Sequence, residues 1–172
     1  MQAFSIRLAR AADAPQMALL SRDLIETGLA WRWTPTRVRD SLRDHATNGL
    51  VVIAERRVVG FALMQYFEER AHLLLLAVAL PWRRTGIGRA MLEWLAETAL
   101  VAGIGTIDLE VRATNLGART FYCALGFQER AMVPGYYAGR ETAVRMRRSL
   151  GLSAPRPAAN GKPDQPAWSP PP

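Results

Sequence analysis

Cysteine is all but missing from this chain. Cys123 stands alone, which excludes an internal disulfide framework and a cysteine-built zinc site. Histidine is nearly as scarce: His45 and His72 are isolated in the sequence, and no metal is expected. Arginine far outnumbers lysine, yet no dense Lys/Arg run with interleaved aromatics occurs. The net charge of +7 suits nucleic acid or an acidic small ligand, and the missing run makes nucleic acid the weaker of the two. Long apolar runs are absent as well: the longest, residues 73–81, is far below the ~20 residues of a membrane span. The first residues lack a charged stretch followed by an apolar one, so no secretory leader is expected. A soluble cytoplasmic protein, a monomer or homodimer with no membrane or nucleic-acid partner, is the expectation.

What remains is ordinary globular material. Of the 172 residues 49% are apolar and 22% charged, enough for one domain with a sizeable core and too little for two. Seven of the eleven prolines fall in residues 151–172. That change of composition predicts a disordered Pro-rich tail after a single domain over residues 3–150.

Along the domain, Phe4, Ile6 and Leu8 alternate with polar residues as a first strand. Asp13 and Pro15 open a helix carrying Met17, Leu20, Leu24 and Ile25, which Gly28 ends. Trp31 and Trp33 lie on a connection to a second helix begun by Thr34-Pro35. Asn48-Gly49 reads as a turn, and residues 50–54 and 58–65 as a hairpin joined at Glu55-Arg56-Arg57. Residues 72–78 are apolar on both faces, as in a covered central strand. A long helix follows from about Gly86 to Ala102, with Ile87, Met91, Trp94, Leu95 and Thr98 on one face. Then come a strand at 106–112, a short helix begun by Asn115, and two strands at 127–133 and 142–148 linked through Gly135-Tyr136-Tyr137. The strand–helix–strand crossover at 72–112 implies a parallel pair inside a mixed sheet. The class is α/β: a mixed, mostly antiparallel sheet of six to seven strands, with a central parallel pair and about four flanking helices.

The stretch that organises this order is Arg83-Arg84-Thr85-Gly86-Ile87-Gly88-Arg89, where an apolar strand feeds a helix start through two glycines. Free N–H groups and the helix dipole favour an anion there, and three arginines reinforce the charge. A phosphate-bearing ligand is the first inference from this turn, which by itself is a weak signal. The spacing fits neither G-x-G-x-x-G nor G-x-x-x-x-G-K-[ST], which excludes the common dinucleotide and P-loop readings.

Downstream runs Leu109-Glu110-Val111-Arg112-Ala113-Thr114-Asn115, then Ala118-Arg119, Phe121-Tyr122 and Leu125-Gly126-Phe127. Taken with the Arg-x-x-Gly-x-Gly turn, the chain resembles the GNAT N-acetyltransferases, and within them the branch acting on ribosomal-protein alanine N-termini. The resemblance implies that Arg83, Arg84, Thr85, Gly86, Ile87, Gly88 and Arg89 hold the pyrophosphate of acetyl-CoA, the co-substrate. It implies that Leu76, Ala77 and Val78 end a strand where the sheet splays and receives the pantetheine arm, with an N–H near Val78 polarising the thioester. Asn115 would bind the same ligand from its other side. Tyr122 would be the general acid, Glu110 the general base, and Trp31, Trp33, Tyr136 and Tyr137 the acceptor site. The implied reaction is acetyl transfer to a primary amine, of a protein N-terminus or a small molecule, by direct attack in a ternary complex. The rival is a CoA-binding sensor or interaction module without turnover.

Elementary chemistry supports these roles separately. An amine is mostly ammonium at neutral pH and must lose a proton before it attacks. Asp108, Glu110 and Arg112 form the polar face of their strand, so that face implies an uncovered cleft where a base is useful. Plainer readings stand beside them. Glu110 could be a solvated carboxylate paired with Arg112, Tyr122 a tethered core tyrosine, and the four acceptor-site aromatics packing. Cys123 reads as a small buried residue, Trp94 as core and His72 as structural.

Overall fold

The computed structural model describes residues 3–151; all but the first residue of the Pro-rich tail lies outside the described residues. Seven strands form one sheet: β1 (Ser5–Leu8), β2 (Thr47–Ala54), β3 (Arg57–Tyr66), β4 (Arg70–Val78), β5 (Thr106–Arg112), β6 (Gln128–Tyr137) and β7 (Glu141–Ser149). Their spatial order is β1-β2-β3-β4-β5-β7-β6. Every pairing is antiparallel except β4 with β5. Four helices complete the fold: α1 (Ala14–Leu24), α2 (Pro35–Arg43), α3 (Ile87–Val101) and α4 (Leu116–Ala124).

The sheet separates two apolar clusters. On one face α3 and α4 bring Ile87, Met91, Leu92, Leu95, Tyr122 and Leu125 onto residues from β2 to β5 and β7. On the other, Ala14, Met17 and Ala18 of α1 and Val38 of α2 cover only β2, β3 and β4. On this second face β5 and β7 carry Asp108, Glu110, Arg112, Arg145 and Arg147 instead of apolar residues, and no helix lies over them. This part of the sheet lacks a covering helix, in line with the polar alternation of β5, but Asp108 and the Glu110 side chain are buried there.

Several local features differ from the sequence reading, each for a physical reason. Asn48-Gly49 is no turn: both residues lie within β2, paired with Met64 and Leu63. A Cβ at Gly49 would displace the end of the Leu42 side chain in α2 and crowd Ala9, so glycine lets α2 pack close to β2. The hairpin turns where the sequence places its link, at Glu55 and Arg56, both at positive φ (49° and 64°), as a two-residue turn of primed type requires. Asp13 does not cap α1; its carboxylate takes Arg7 at 2.8 and 2.9 Å and the Arg10 N–H at 2.7 Å. Trp94 is 40% exposed, and Leu92, Ala96 and Ala99 fill the inner face of α3 in its place. Cys123 is exposed, on the outer side of α4. Gly135-Tyr136-Tyr137 belongs to β6, and the bend to β7 falls at Ala138 and Gly139, both at positive φ.

Two irregularities in β4 shape the centre of the molecule. Leu63 pairs with Leu75 and Met64 with Leu73, so Leu74 is an extra, bulged residue. The bulge swaps faces: Ala71 and Leu73 point to the α3 side, whereas Leu75 and Ala77 point to the α1–α2 side. Meanwhile β4 pairs with β5 only through Arg70, Ala71 and His72. Beyond His72 the two strands diverge, and β5 stays paired with β7 out to Arg112.

Candidate active site

The bend between β4 and α3 is built almost wholly of backbone. After β4 a short turn at Leu80–Trp82 buries Trp82, and Arg83 returns its Nε–H to the Val78 carbonyl at 3.1 Å. Thr85 donates its hydroxyl to the Trp82 carbonyl at 2.6 Å, fixing the loop from inside. Arg84 adopts φ 65° and Gly86 φ 86°, both left-handed, so successive N–H groups turn toward one side. Gly86 then caps α3 with no side chain. Among the described residues no acceptor meets the N–H groups of Arg84, Thr85 and Gly86. Those of Ile87, Gly88 and Arg89 are the first turn of a helix and have no acceptor within it.

The two glycines serve different needs. A Cβ at Gly86 would meet nothing, so this position is glycine for its φ alone. At Gly88 a Cβ would stand 3.1 Å from the Phe121 ring, so the side chain is excluded by the close approach of α4. That contact also brings the bend against the helix that carries Tyr122. Arg84 and Arg89 are exposed, and among the described residues neither is in an ion pair.

The gap between β4 and β5 opens from this bend toward the sheet. Ala77 and Val78 pair with Phe61 and Gly60 on one edge, and from Leu73 onward the other edge has no strand beside it. Alternate N–H and C=O groups of residues 73–78 therefore face the gap. Asn115, exposed on the opposite lip, caps α4 by accepting the Ala118 N–H on Oδ1 at 3.1 Å. Its side-chain oxygen is thus spent on the helix, and its amide N–H groups are what it offers a ligand.

Tyr122 lies in α4, buried, with Phe121 and Phe127 edge-on to its ring at 5.1 and 5.5 Å. Burial, with Tyr137 nearby, holds its hydroxyl well above the ordinary tyrosine range, so the phenol keeps its proton. Among the described residues nothing hydrogen-bonds that hydroxyl, unlike the tethered core tyrosine of the plainer reading.

Glu110 is not a solvated strand carboxylate, and Arg112 is not its partner. Its side chain is 5% exposed and both oxygens are engaged: Oε1 accepts Arg145 Nε–H at 3.1 Å, and Oε2 lies 2.7 Å from His72 Nε2. Arg145 is its direct neighbour across β7, and His72 stands on β4 at the last pair before the strands part. Next to this group Asp108 binds Arg147 through two bonds of 2.6 and 2.9 Å. Arg112 leans instead toward Glu141 at 3.6 Å and over the Tyr137 ring, with its Nε and one terminal nitrogen buried and unbonded. Burial first, then the Glu110 charge, raises the hydroxyls of Tyr136 and Tyr137 far above the usual range. Those two rings meet edge-on at 4.9 Å on the wall of the uncovered face.

The α1–α2 connection lies on the same face of the sheet, over β2 to β4. Glu26, buried, accepts the N–H groups of Arg32 and Trp33 at 2.7 and 3.2 Å and so shapes the turn. Trp31 is 37% exposed under Arg22, and Trp33 carries Arg37 stacked at 4.1 Å. The structure thus gathers Glu110 with Tyr136 and Tyr137, and Tyr122 with the bend. His72, Arg145 and the Asp108–Arg147 pair escaped the sequence reading. The signal for them was present: Arg145 and Arg147 alternate with Val144 and Met146, and two polar strand faces of opposite charge are natural neighbours.

Among the described residues no helix is long and apolar enough to cross a membrane. Comparison with known proteins agrees with this architecture. The sequence pattern of the acetyltransferase (GNAT) family matches residues 17–127. Over 93 residues the chain is 39% identical to the [ribosomal protein bS18]-alanine N-acetyltransferase of Escherichia coli K12, covering 52% of this chain and 63% of that protein. The crystal structure of the Escherichia coli ribosomal-protein-S18-alanine N-acetyltransferase superposes with TM-score 0.76 at 26% identity, over 90% of this chain and 98% of that one. Ard1 from Thermoplasma volcanium superposes with TM-score 0.75 at 29% identity, over 86% and 97%. With the bend, the parted strands and the family pattern all falling on the same residues, the chain belongs to the GNAT acetyltransferase family.

Proposed function

We propose that this chain transfers an acetyl group from acetyl-CoA to a primary amine, of a protein N-terminus or a small molecule, by direct attack in a ternary complex in the cytoplasm. The observation that carries the reading is the parting of β4 and β5 beyond His72, with an anion-binding bend at its wide end and Glu110 at its apex. Acetyl-CoA supplies an activated acyl group, and everything else is done by residues of the domain, which we take as 3–150. A diphosphate suits the unpaired N–H groups of residues 84–89, with Arg84 and Arg89 adding charge. A pantetheine arm carries amide groups that can pair with the exposed edge of residues 73–78, as a strand would.

Glu110 takes a proton from the acceptor ammonium. With Arg145 and His72 each engaging one oxygen, the carboxylate keeps a single orientation and still has lone pairs to spare. The amine then attacks while an N–H on the β4 edge steadies the developing charge on the carbonyl oxygen. Tyr122, its proton retained by burial, hydrogen-bonds the departing sulfur and hands over that proton as the C–S bond breaks, and the proton the nitrogen sheds on becoming an amide restores the phenol. Trp31, Trp33, Tyr136 and Tyr137 flank the acceptor on two sides. The bacterial relatives named for a ribosomal-protein alanine support a peptide N-terminus as acceptor. No nucleic acid or metal enters this scheme.

A thiol-release assay with acetyl-CoA over N-terminal peptides, amino acids and small amines tests it. Turnover on a primary amine is expected, reduced in Tyr122→Phe with acetyl-CoA affinity retained. Tight acetyl-CoA binding with no acceptor consumed across the panel would favour the sensor reading instead.

A further inference from the structure

A cleft of about 240 Å³ opens between α2 and the sheet, on the face that carries Glu110. Trp33, Arg37, Asp44, Gln65 and Leu74 are among the residues that line it. Gln65 is the cross-strand neighbour of His72, and Leu74 is the bulged residue two positions further on. One end of the cleft therefore borders the pair that holds Glu110, with about two strand spacings, roughly 10 Å, between base and cleft.

Arg37 is the unusual group in this cleft. Its guanidinium stacks on Trp33 at 4.1 Å, and among the described residues no carboxylate lies within ion-pair distance of it. The two acids nearby are already spent. Glu26 gives one oxygen to the Arg32 and Trp33 N–H groups and the other to the Ser21 hydroxyl. Asp44 turns its oxygens to the Ala46 N–H and the Thr47 hydroxyl. It also sits seven residues further along, about 10 Å of helix away. Burial, helped by the Arg32 charge, lowers the Arg37 pKa although the Glu26 charge acts the other way, whereas hydrogen-bonded acidic partners raise those of Arg7, Arg22, Arg119 and Arg147. A partly desolvated guanidinium on a rigid aromatic mount, with its donors uncommitted, is built for a planar anion.

We infer that Arg37 reads a carboxylate on the acceptor, so that the substrate class is an amine with an acidic neighbour: a peptide N-terminus bearing Asp or Glu within its first three residues. An extended peptide advances about 3.3 Å per residue, which lets an amine at Glu110 and an acidic side chain in the cleft belong to one short segment. This rests on the acetyl-transfer reading and narrows it.

The test is a set of otherwise identical short peptides carrying Glu, Gln or Lys at the first, second or third position, with free glutamate as a separate acceptor. For the wild-type protein kcat/KM should favour the Glu peptide over the Lys peptide by about ten- to a hundredfold, the worth of one charge-assisted bond. R37A should bring the Glu, Gln and Lys peptides to a common kcat/KM, the loss on the Glu peptide appearing in KM, with the melting temperature lowered by no more than the lost stack on Trp33 accounts for. R37K, charged but unable to stack or fork, should restore part of it. Equal rates on the three peptides, or a preference that survives in R37A, would overturn the assignment while leaving acetyl transfer intact. Free glutamate turned over as well as the Glu peptide would overturn the peptide part. Calorimetric binding of the acetylated Glu peptide, needing no turnover, separates the two layers. If that peptide binds wild type and not R37A while no acceptor is consumed, acetyl transfer fails and the Arg37 assignment stands.

Discussion

The proposed donor side and the proposed acceptor side of this molecule are made of different materials. Between β4 and α3, residues 84–89 offer N–H groups, and the side chains serve mainly to stay out of the way, as Gly86 and Gly88 do for separate reasons. Across the gap the site is made of side chains, Glu110 with His72 and Arg145, Asp108 with Arg147, and a ring of aromatics. Backbone recognition ignores everything about a ligand except its oxygens, so it fits a constant co-substrate. Side-chain recognition is changed by single substitutions, so it fits an acceptor that differs from one relative to another.

That contrast breaks most sharply under substitution. Replacing Glu110 by Gln keeps the shape and removes the proposed base, and should lower kcat by about 10²- to 10⁴-fold. Acetyl-CoA affinity, read by calorimetry, should stay as it was. Near-normal turnover in E110Q would remove Glu110 from the reaction. On the proposed donor side, Gly88→Val adds three carbons, the first already 3.1 Å from the Phe121 ring, a strain of about 1–3 kcal/mol. Its signature should be the reverse: an acetyl-CoA KM raised roughly tenfold or more, for the same reason. Arg84→Ala and Arg89→Ala remove only exposed charges and should cost no more than a few-fold in acetyl-CoA KM, about 0.3–1 kcal/mol each at a helix N-terminus. A collapse of binding in either arginine variant, with G88V unaffected, would invert the division between backbone and side chain.

The same division explains what could be read from the sequence. The bend was legible because its parts are contiguous: strand, glycines and helix start follow one another within a dozen residues, and the φ of Gly86 is a local requirement. The seven-stranded sheet with one parallel pair was legible from the crossover at 72–112. The hold on Glu110 was not, since Arg145 lies 35 residues away and pairs with it only once β7 has docked beside β5. His72 was read as structural because a lone histidine opening an apolar strand has no partner nearby in sequence. The bulge at Leu74 was hidden too: four consecutive leucines carry no alternation, so nothing marks where the strand changes face.

His72 gives the next test. If it aims Glu110 by donating from Nε2, then His72→Leu deletes one charge-assisted bond and frees the carboxylate to rotate. A bond of that kind is worth about 1.5–3 kcal/mol, so kcat should fall about tenfold or more with KM for both substrates little changed. His72→Gln retains an N–H donor on a side chain of similar reach and should stay within about threefold, since the hydrogen bond is conserved. Equal losses in the two variants would mean that the ring packs here rather than positions, and thermal melting would then fall in parallel with kcat.

The smallest effect concerns alkaline stability, and again it divides the two sides. The donor bend holds no group that titrates below arginine, whereas Tyr122, Tyr136 and Tyr137 all have hydroxyls pushed upward, chiefly by burial. Unfolded, a tyrosine gives up its proton near pH 10. Above that pH the unfolded chain releases protons the folded one retains, so stability present below pH 10 is lost as pH rises toward the folded values. For Tyr122, buried at 8% exposure, the slope approaches about 1.4 kcal/mol per pH unit once the unfolded phenol is ionised. Denaturant unfolding at pH 9, 10 and 11 should therefore show Tyr122→Phe losing less stability across the series than wild type, while Arg84→Ala follows the wild-type slope. Parallel lines for all three proteins would mean that Tyr122 meets solvent in the folded state, and a phenol that exchanges its proton freely with water would no longer be reserved for the departing sulfur.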